Sequence, residues 1–196
     1  MAARGILGGT FDPIHTGHLC LAESAREVFQ LERVIFVPAG NPPHKPGLVA
    51  AAAQDRFRMV EIATADNPNF LASPVELERL GPSYTIDTVN SLRTAYPGLE
   101  WCLIMGSDTL AEIQTWRDYR SLLPLVTILA AVRPGVPLVL PPELQPWAER
   151  VKTFSSPALD ISATMIRQRL GQGLSVRYLI PAGVASYIEE RGLYRQ

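Results

Sequence analysis

One segment, Gly8-Gly9-Thr10-Phe11-Asp12-Pro13-Ile14-His15-Thr16-Gly17-His18, falls between a short β-rich run, Arg4 to Leu7, and a stretch of helical period, Gly17 to Gln30. A strand, a glycine-rich turn and a helix in that order form a βα unit. In an open α/β sheet this turn sits at the carboxyl end of the strand, where nucleotides bind. Gly8 and Gly9 carry no Cβ, so a phosphate can approach the backbone closely, and the helix that follows offers N–H groups and a partial positive charge to an anion. His15 and His18 are three residues apart around the helix start and can converge on one ligand. An imidazole, neutral or protonated, can donate to phosphate oxygens and stabilise charge that grows at an α-phosphate under attack.

The rest of the chain continues the alternation. In the first helix the spacing of Leu21, Ala25, Val28 and Phe29 predicts one buried side. Arg33 to Val37 predicts a second strand, ended by Pro38, which with Pro42, Pro43 and Pro46 of the loop that follows excludes regular structure. A helix is expected from about Ala51 to Ala65, a strand from Phe70 to Val75, and a helix from Ser83-Tyr84-Thr85 to about Ala95, stopping before Pro97. The unbroken apolar run Trp101 to Met105 is that of a central strand covered on both faces, and Gly106-Ser107-Asp108 ends it. Another strand, Val126 to Val132, leads into Arg133-Pro134-Gly135 and a proline-rich surface excursion reaching Pro146. Strands alternating with helices over 196 residues predict one α/β domain, residues 1–196, with a Rossmann-like, doubly wound and mostly parallel sheet.

Composition removes several classes of function. With 18 basic against 19 acidic residues the net charge is −1, so neither long nucleic acid nor an anionic lipid surface is an expected partner. Leu125 to Val132 is far short of the roughly 20 apolar residues that span a bilayer, and no signal-peptide pattern opens the chain. Cys20 and Cys102 are far apart and form no CxxC pair, which suits a reducing, cytoplasmic setting for a soluble protein. His15, His18 and His44 invite a reading as zinc ligands. Structural zinc wants four Cys or His ligands, catalytic zinc commonly three with a carboxylate, and Lys45 beside His44 is an unhelpful cation. No metal held by the protein alone is expected.

The glycine–histidine segment resembles the signature of the HxGH nucleotidyltransferase superfamily. Further matches follow in order: Pro42-Pro43-His44-Lys45, Ser83-Tyr84-Thr85-Ile86-Asp87-Thr88, Met105-Gly106-Ser107-Asp108, Trp116, and Ile161-Ser162-Ala163-Thr164-Met165-Ile166-Arg167. Together they are similar to the bacterial nicotinate-nucleotide adenylyltransferase family and extend over nearly the whole chain. The resemblance implies adenylyl transfer from ATP to nicotinate mononucleotide, in NAD biosynthesis, with Mg²⁺ carried by the ATP.

It also implies a site. His15 and His18 would be catalytic and contact ATP phosphates, with Gly8, Gly9, Thr10, Phe11, Gly106, Asp108, Ser162, Thr164 and Arg167 completing the ATP site. Asp12, Lys45, Thr85, Trp116 and Arg133 would hold the mononucleotide, Trp116 by stacking on the pyridine. The helical part from about residue 160 would close on the ATP phosphates, with Arg167 as a charged fork. Taken without the resemblance, Asp108 could equally cap a helix, Trp116 could be core, and Arg167, Lys45 and Arg133 could be solvated charges. Ala163 departs from the second serine that many relatives carry there. Other acceptors, nicotinamide mononucleotide or pantetheine phosphate, and a non-catalytic nucleotide-binding module stay open, and a homo-oligomer is compatible with the sequence. The reading requires His15, His18 and Arg167 to face a common gap.

Overall fold

The chain runs β1 (Ala3–Gly9), α1 (Thr16–Phe29), β2 (Arg33–Pro38), α2 (Ala53–Thr64), β3 (Phe70–Ala72), α3 (Thr85–Ala95), β4 (Glu100–Gly106), α4 (Ser107–Ala111), α5 (Tyr119–Leu122), β5 (Thr127–Val132), β6 (Val151–Ser155), α6 (Ala163–Gly171) and α7 (Ala182–Glu190). The computed structural model describes residues 3–42, 49–132 and 138–195. The six strands form one sheet in the order β3-β2-β1-β4-β5-β6, and every neighbouring pair is parallel. The order reverses at β1, so the chain is doubly wound about β1 and β4, and a crevice opens at their carboxyl ends.

Strand alternation divides the core in two. Leu7, Val34, Phe36, Cys102, Ile104 and Leu129 face α1, α2, α6 and α7. Ile6, Ile35, Val37, Leu103, Met105 and Ile128 face α3, α4 and α5. Successive residues point to opposite faces and both faces are covered, which is why these strands read as unbroken apolar runs. Burying a side chain such as Ile128, at 0 % exposure, contributes roughly 1.5–3 kcal/mol.

Three expectations change. Helix α1 buries Ala22 and Ala25, while Val28 is 57 % exposed; two small side chains let the helix lie close to the sheet, turning Val28 outward. The strand expected up to Val75 stops at Ala72, because the amides of Leu77 and Glu78 donate to the Pro74 carbonyl and turn the chain. Strand β6 was not anticipated, and it is preceded by a 3₁₀ segment, Pro142–Arg150, anchored by the fully buried Leu144. Among the described residues no helix is long and apolar enough to cross a membrane.

Candidate active site

The loop between β1 and α1 owes its shape to its own side chains. A Cβ on Gly8 would meet nothing within 4 Å, so this glycine leaves open space above the strand. Gly9 is different: a Cβ there would come within 3.0 Å of the Phe11 ring. Phe11 has φ 49°, in the left-handed region that non-glycine residues rarely enter. Its ring is buried in the core and meets His18 edge-on at 4.9 Å. Phe11, expected to bind ATP, is packed in the core and lines neither of the cavities beside the loop.

His15 is the N-cap of α1 and His18 stands at its third position. The two imidazoles stack with centres 3.6 Å apart, and the His15 amide donates to His18 Nδ1 at 3.2 Å. Gly17 makes room for this pair, because a Cβ there would lie 3.1 Å from His15 Nδ1. His15 is 7 % exposed, and burial pushes its pKa down to about 4, so the ring is neutral near pH 7. Its Nδ1 is buried and has no hydrogen-bonding partner among the described residues.

Two cavities flank this loop. The first, of about 400 Å³, is lined by Gly8, Gly9, Thr10 and His18 on one side and by Tyr84, Thr85, Trp116 and Arg117 on the other. Trp116 is half-buried and presents part of its indole, and the Arg117 guanidinium lies 4.6 Å from the Tyr84 ring centre. A mostly apolar cleft with an aromatic wall and a few polar groups suits a flat heterocycle. The second cavity, of about 480 Å³, is lined by Gly17, Gly106, Ser107, Asp108 and the segment Ser156 to Asp160. Leu21 and Gly106 belong to both linings, so the cavities meet over the ends of β1 and β4. Asp108 sits in the first turn of α4, at the carboxyl end of β4.

The expected phosphate segment after residue 160 reaches the same loop from the other side. Ser162 caps α6, its hydroxyl accepting from the Met165 amide at 3.2 Å. Arg167 donates from Nη1 to the Asp12 carbonyl at 2.8 Å, while Nη2 lies 3.4 Å from the Thr164 hydroxyl. Of the three groups required to face a common gap, His18 lines a cavity, whereas His15 lies buried beside it and Arg167, bonded to the Asp12 carbonyl, lines neither cavity, so the expected arrangement is only partly formed.

Asp12, expected at the mononucleotide, is turned into the protein and lines neither cavity. At 3 % exposure, its carboxylate accepts from the amides of Ala50 at 2.8 Å and Ala51 at 3.1 Å and from the Tyr194 hydroxyl at 2.7 Å. A buried carboxylate is tolerated only with such donors. Lys45 and Arg133, also expected there, lie outside the described residues, as does His44.

Sequence reasoning missed Arg56. On helix α2 and 1 % exposed, its guanidinium donates to the carbonyls of Thr10 at 2.7 Å, Gly40 at 3.3 Å and Ala51 at 3.3 Å. It ties the loop after β1 to the loop after β2, the two rims of the first cavity. Gly40 is itself confined, since a Cβ there would lie 2.4 Å from the Glu76 carbonyl oxygen. Glu76 accepts from the Thr88 hydroxyl, which fixes the cavity's far wall at the first turn of α3. An arginine on an amphipathic helix gives no sequence signal of this role. Among the described residues no group of three His, Cys, Asp or Glu side chains is arranged to hold a metal ion.

A doubly wound parallel sheet with a glycine–histidine loop at its switch point defines a nucleotide-binding α/β domain, and residues 6–169 match the family model described as cytidylyltransferase-like. A protein of Desulfitobacterium hafniense (strain Y51) named "Probable nicotinate-nucleotide adenylyltransferase" is 47% identical over 196 residues, covering 97% of this chain and 95% of that protein. One of the same name from Herpetosiphon aurantiacus is 46% identical, covering 99% of each. The chain belongs to the nicotinate-nucleotide adenylyltransferase family. Its fold is also that of the Plasmodium falciparum nicotinic acid mononucleotide adenylyltransferase complexed with NaAD, at a TM-score of 0.80, 18% identity and coverage of 99% and 98%.

Proposed function

We propose that this chain transfers the adenylyl group of ATP to nicotinate mononucleotide, releasing pyrophosphate and giving nicotinate adenine dinucleotide for NAD biosynthesis. The observation that carries the reading is the pair of cavities meeting at Gly106 and Leu21, with the histidine loop between them. A dinucleotide has two nucleoside halves joined by two phosphates, and this surface offers two cavities joined at a phosphate-binding loop. The pyridine half takes the first cavity, against Trp116 and the helix start at Thr85. The adenosine half takes the second, with its ribose near Asp108.

In the reaction an oxygen of the mononucleotide phosphate attacks the α-phosphorus of ATP. A new P–O bond forms as the bond to the β-phosphate bridging oxygen breaks, and pyrophosphate leaves with that electron pair. No side chain becomes covalently attached. The protein aligns two anions and offsets the charge between them. Gly8, Gly9 and Thr10 let the phosphates close on the backbone, and His18 donates to them with the neutral His15 ring stacked beside it. Ser162, Thr164 and Arg167 approach from α6. The 3.4 Å contact between Arg167 Nη2 and Thr164 is at the limit of hydrogen bonding, so a phosphate oxygen would displace it. This is how the C-terminal helices would close on ATP. Mg²⁺ enters with the triphosphate as part of the substrate, as magnesium prefers phosphate and water ligands.

Incubating purified protein with ATP, Mg²⁺ and nicotinate mononucleotide should release pyrophosphate and form the dinucleotide. Nicotinamide mononucleotide and pantetheine phosphate, offered in competition, should be used less well. His18→Ala should lose at least about 100-fold in turnover, the cost typical of removing one preorganised donor, with an unchanged melting temperature. No pyrophosphate above background, or normal turnover in His18→Ala, defeats the reading.

A further inference from the structure

The Asp12 carboxylate is a junction between distant parts of the chain, and one of its donors comes from beyond the last helix. Tyr194 has φ 62°, a left-handed conformation that turns its ring back into the protein. Its hydroxyl donates to Asp12 Oδ1 at 2.7 Å. Burial first, then the bonded carboxylate, pushes its ionisation above the usual tyrosine range, so it remains a donor. Ala51 shares Oδ1, and Ala50 holds Oδ2. Arg167 Nη1 is 2.8 Å from the main-chain oxygen of Asp12 but 3.9 Å from Oδ2, so its full hydrogen bond goes to the peptide and not to the carboxylate.

That division of partners has a chemical meaning. A buried carboxylate without enough neutral donors seeks the nearest cation. With the tyrosine hydroxyl in place, Asp12 is satisfied and Arg167 stays on the loop's backbone. Without it, Oδ1 keeps one amide donor, and the guanidinium, already within 4 Å, becomes the strongest replacement. The loose 3.9 Å ion pair of Arg167 with Asp12 would then tighten into a hydrogen-bonded one, drawing the guanidinium away from the anion it serves.

We propose that Tyr194 is a positioning residue for ATP: by satisfying Asp12 it keeps Arg167 available to the triphosphate. The proposal rests on the adenylyl-transfer reading for the role of Arg167. Neither Asp12 nor Tyr194 nor Arg167 lines the first cavity, so the effect falls on one substrate.

The test is Tyr194→Phe in the full chain, which keeps the ring and removes only the hydroxyl. Calorimetric titration with ATP and Mg²⁺ should show affinity weaker by about tenfold, the loss expected for a charge-assisted hydrogen bond. KM for ATP should rise in parallel, while KM for nicotinate mononucleotide stays within about twofold. In an Arg167→Ala background the same change should alter ATP affinity less than about twofold, since the two residues act in series. Unchanged ATP affinity in Tyr194→Phe, an equal rise in both KM values with a lowered melting temperature, or independent effects in the double variant would each overturn the proposal. ATP binding is read without turnover, so a wild-type protein that binds ATP but releases no pyrophosphate defeats the reaction and leaves this comparison standing. A wild-type protein that binds no ATP defeats both.

Discussion

The backbone amide of His15 donates to Nδ1 of His18 at 3.2 Å, while the two rings stack 27° from parallel. An imidazole nitrogen that accepts an N–H carries no proton, so the bond assigns the neutral His18 proton to Nε2. The donating nitrogen of this ring is therefore Nε2. The amide of glutamine reaches about where Nε2 lies, and that of asparagine about where Nδ1 lies. His18→Gln should keep at least about tenfold more turnover than His18→Asn if one donor is worth a few kcal/mol. Equal losses in pyrophosphate release from the two variants would contradict the assignment.

Gly17→Ala should separate stability from activity. Gly17 is the second residue of α1, where alanine is favoured over glycine by less than the roughly 0.8–1 kcal/mol of a helix interior, so the melting temperature should hold or rise slightly. Its methyl would meet His15 Nδ1 at 3.1 Å, and the imidazole pair must shift. A loss of turnover by about tenfold or more is expected from a sub-ångström misplacement of a phosphate donor. Differential scanning calorimetry beside a pyrophosphate assay reads both, and a fully active variant would show that the histidine pair tolerates displacement.

The buried His15 makes stability depend on pH in a defined direction. The unfolded chain takes up a proton near 6.5, whereas the folded chain refuses it down to about 4. Below 6.5 the unfolded state binds more protons, so stability falls as the solution is acidified, and this loss levels off below about 4. The contribution amounts to about 3 kcal/mol at most. Urea denaturation at pH 7 and 4.5 should show a smaller drop for His15→Asn than for the wild-type protein. Parallel drops would show that the imidazole titrates normally.

Trp116→Ala should act on the acceptor substrate. Stacking of a base on an aromatic side chain is worth about 1–3 kcal/mol, so KM for nicotinate mononucleotide should rise by about 5- to 150-fold. KM for ATP should change little, because Trp116 lines only the first cavity. Steady-state kinetics with each substrate varied in turn make the comparison, and equal changes in both KM values would place the indole elsewhere in the mechanism.

The sequence was legible where its signals were local. The strand, glycine turn and helix around Gly8 to His18 could be read directly, and the apolar run at Trp101 to Met105 pointed to a strand covered on both faces. Partnerships across the chain were not legible. Asp12 looked like a ligand because nothing in its neighbourhood announces donors 38, 39 and 182 residues away. Arg56 drew no notice because its three acceptors are backbone carbonyls, which every sequence contains. Strand β6 escaped notice because Val-Lys-Thr-Phe-Ser buries only Phe154, as suits an edge with one lysine guarding it. Val28 shows the limit of periodicity: the period locates a face, but the packing distance selects which of its side chains fit beneath.

Because each of the six strands runs the same way, the sheet has one reactive rim and one idle rim. The idle rim carries features such as the ion pair between Arg4 and Glu32, with the length of the strands between them and the two cavities. Durability can therefore be adjusted at that end by surface redesign while catalysis at the opposite end goes on undisturbed.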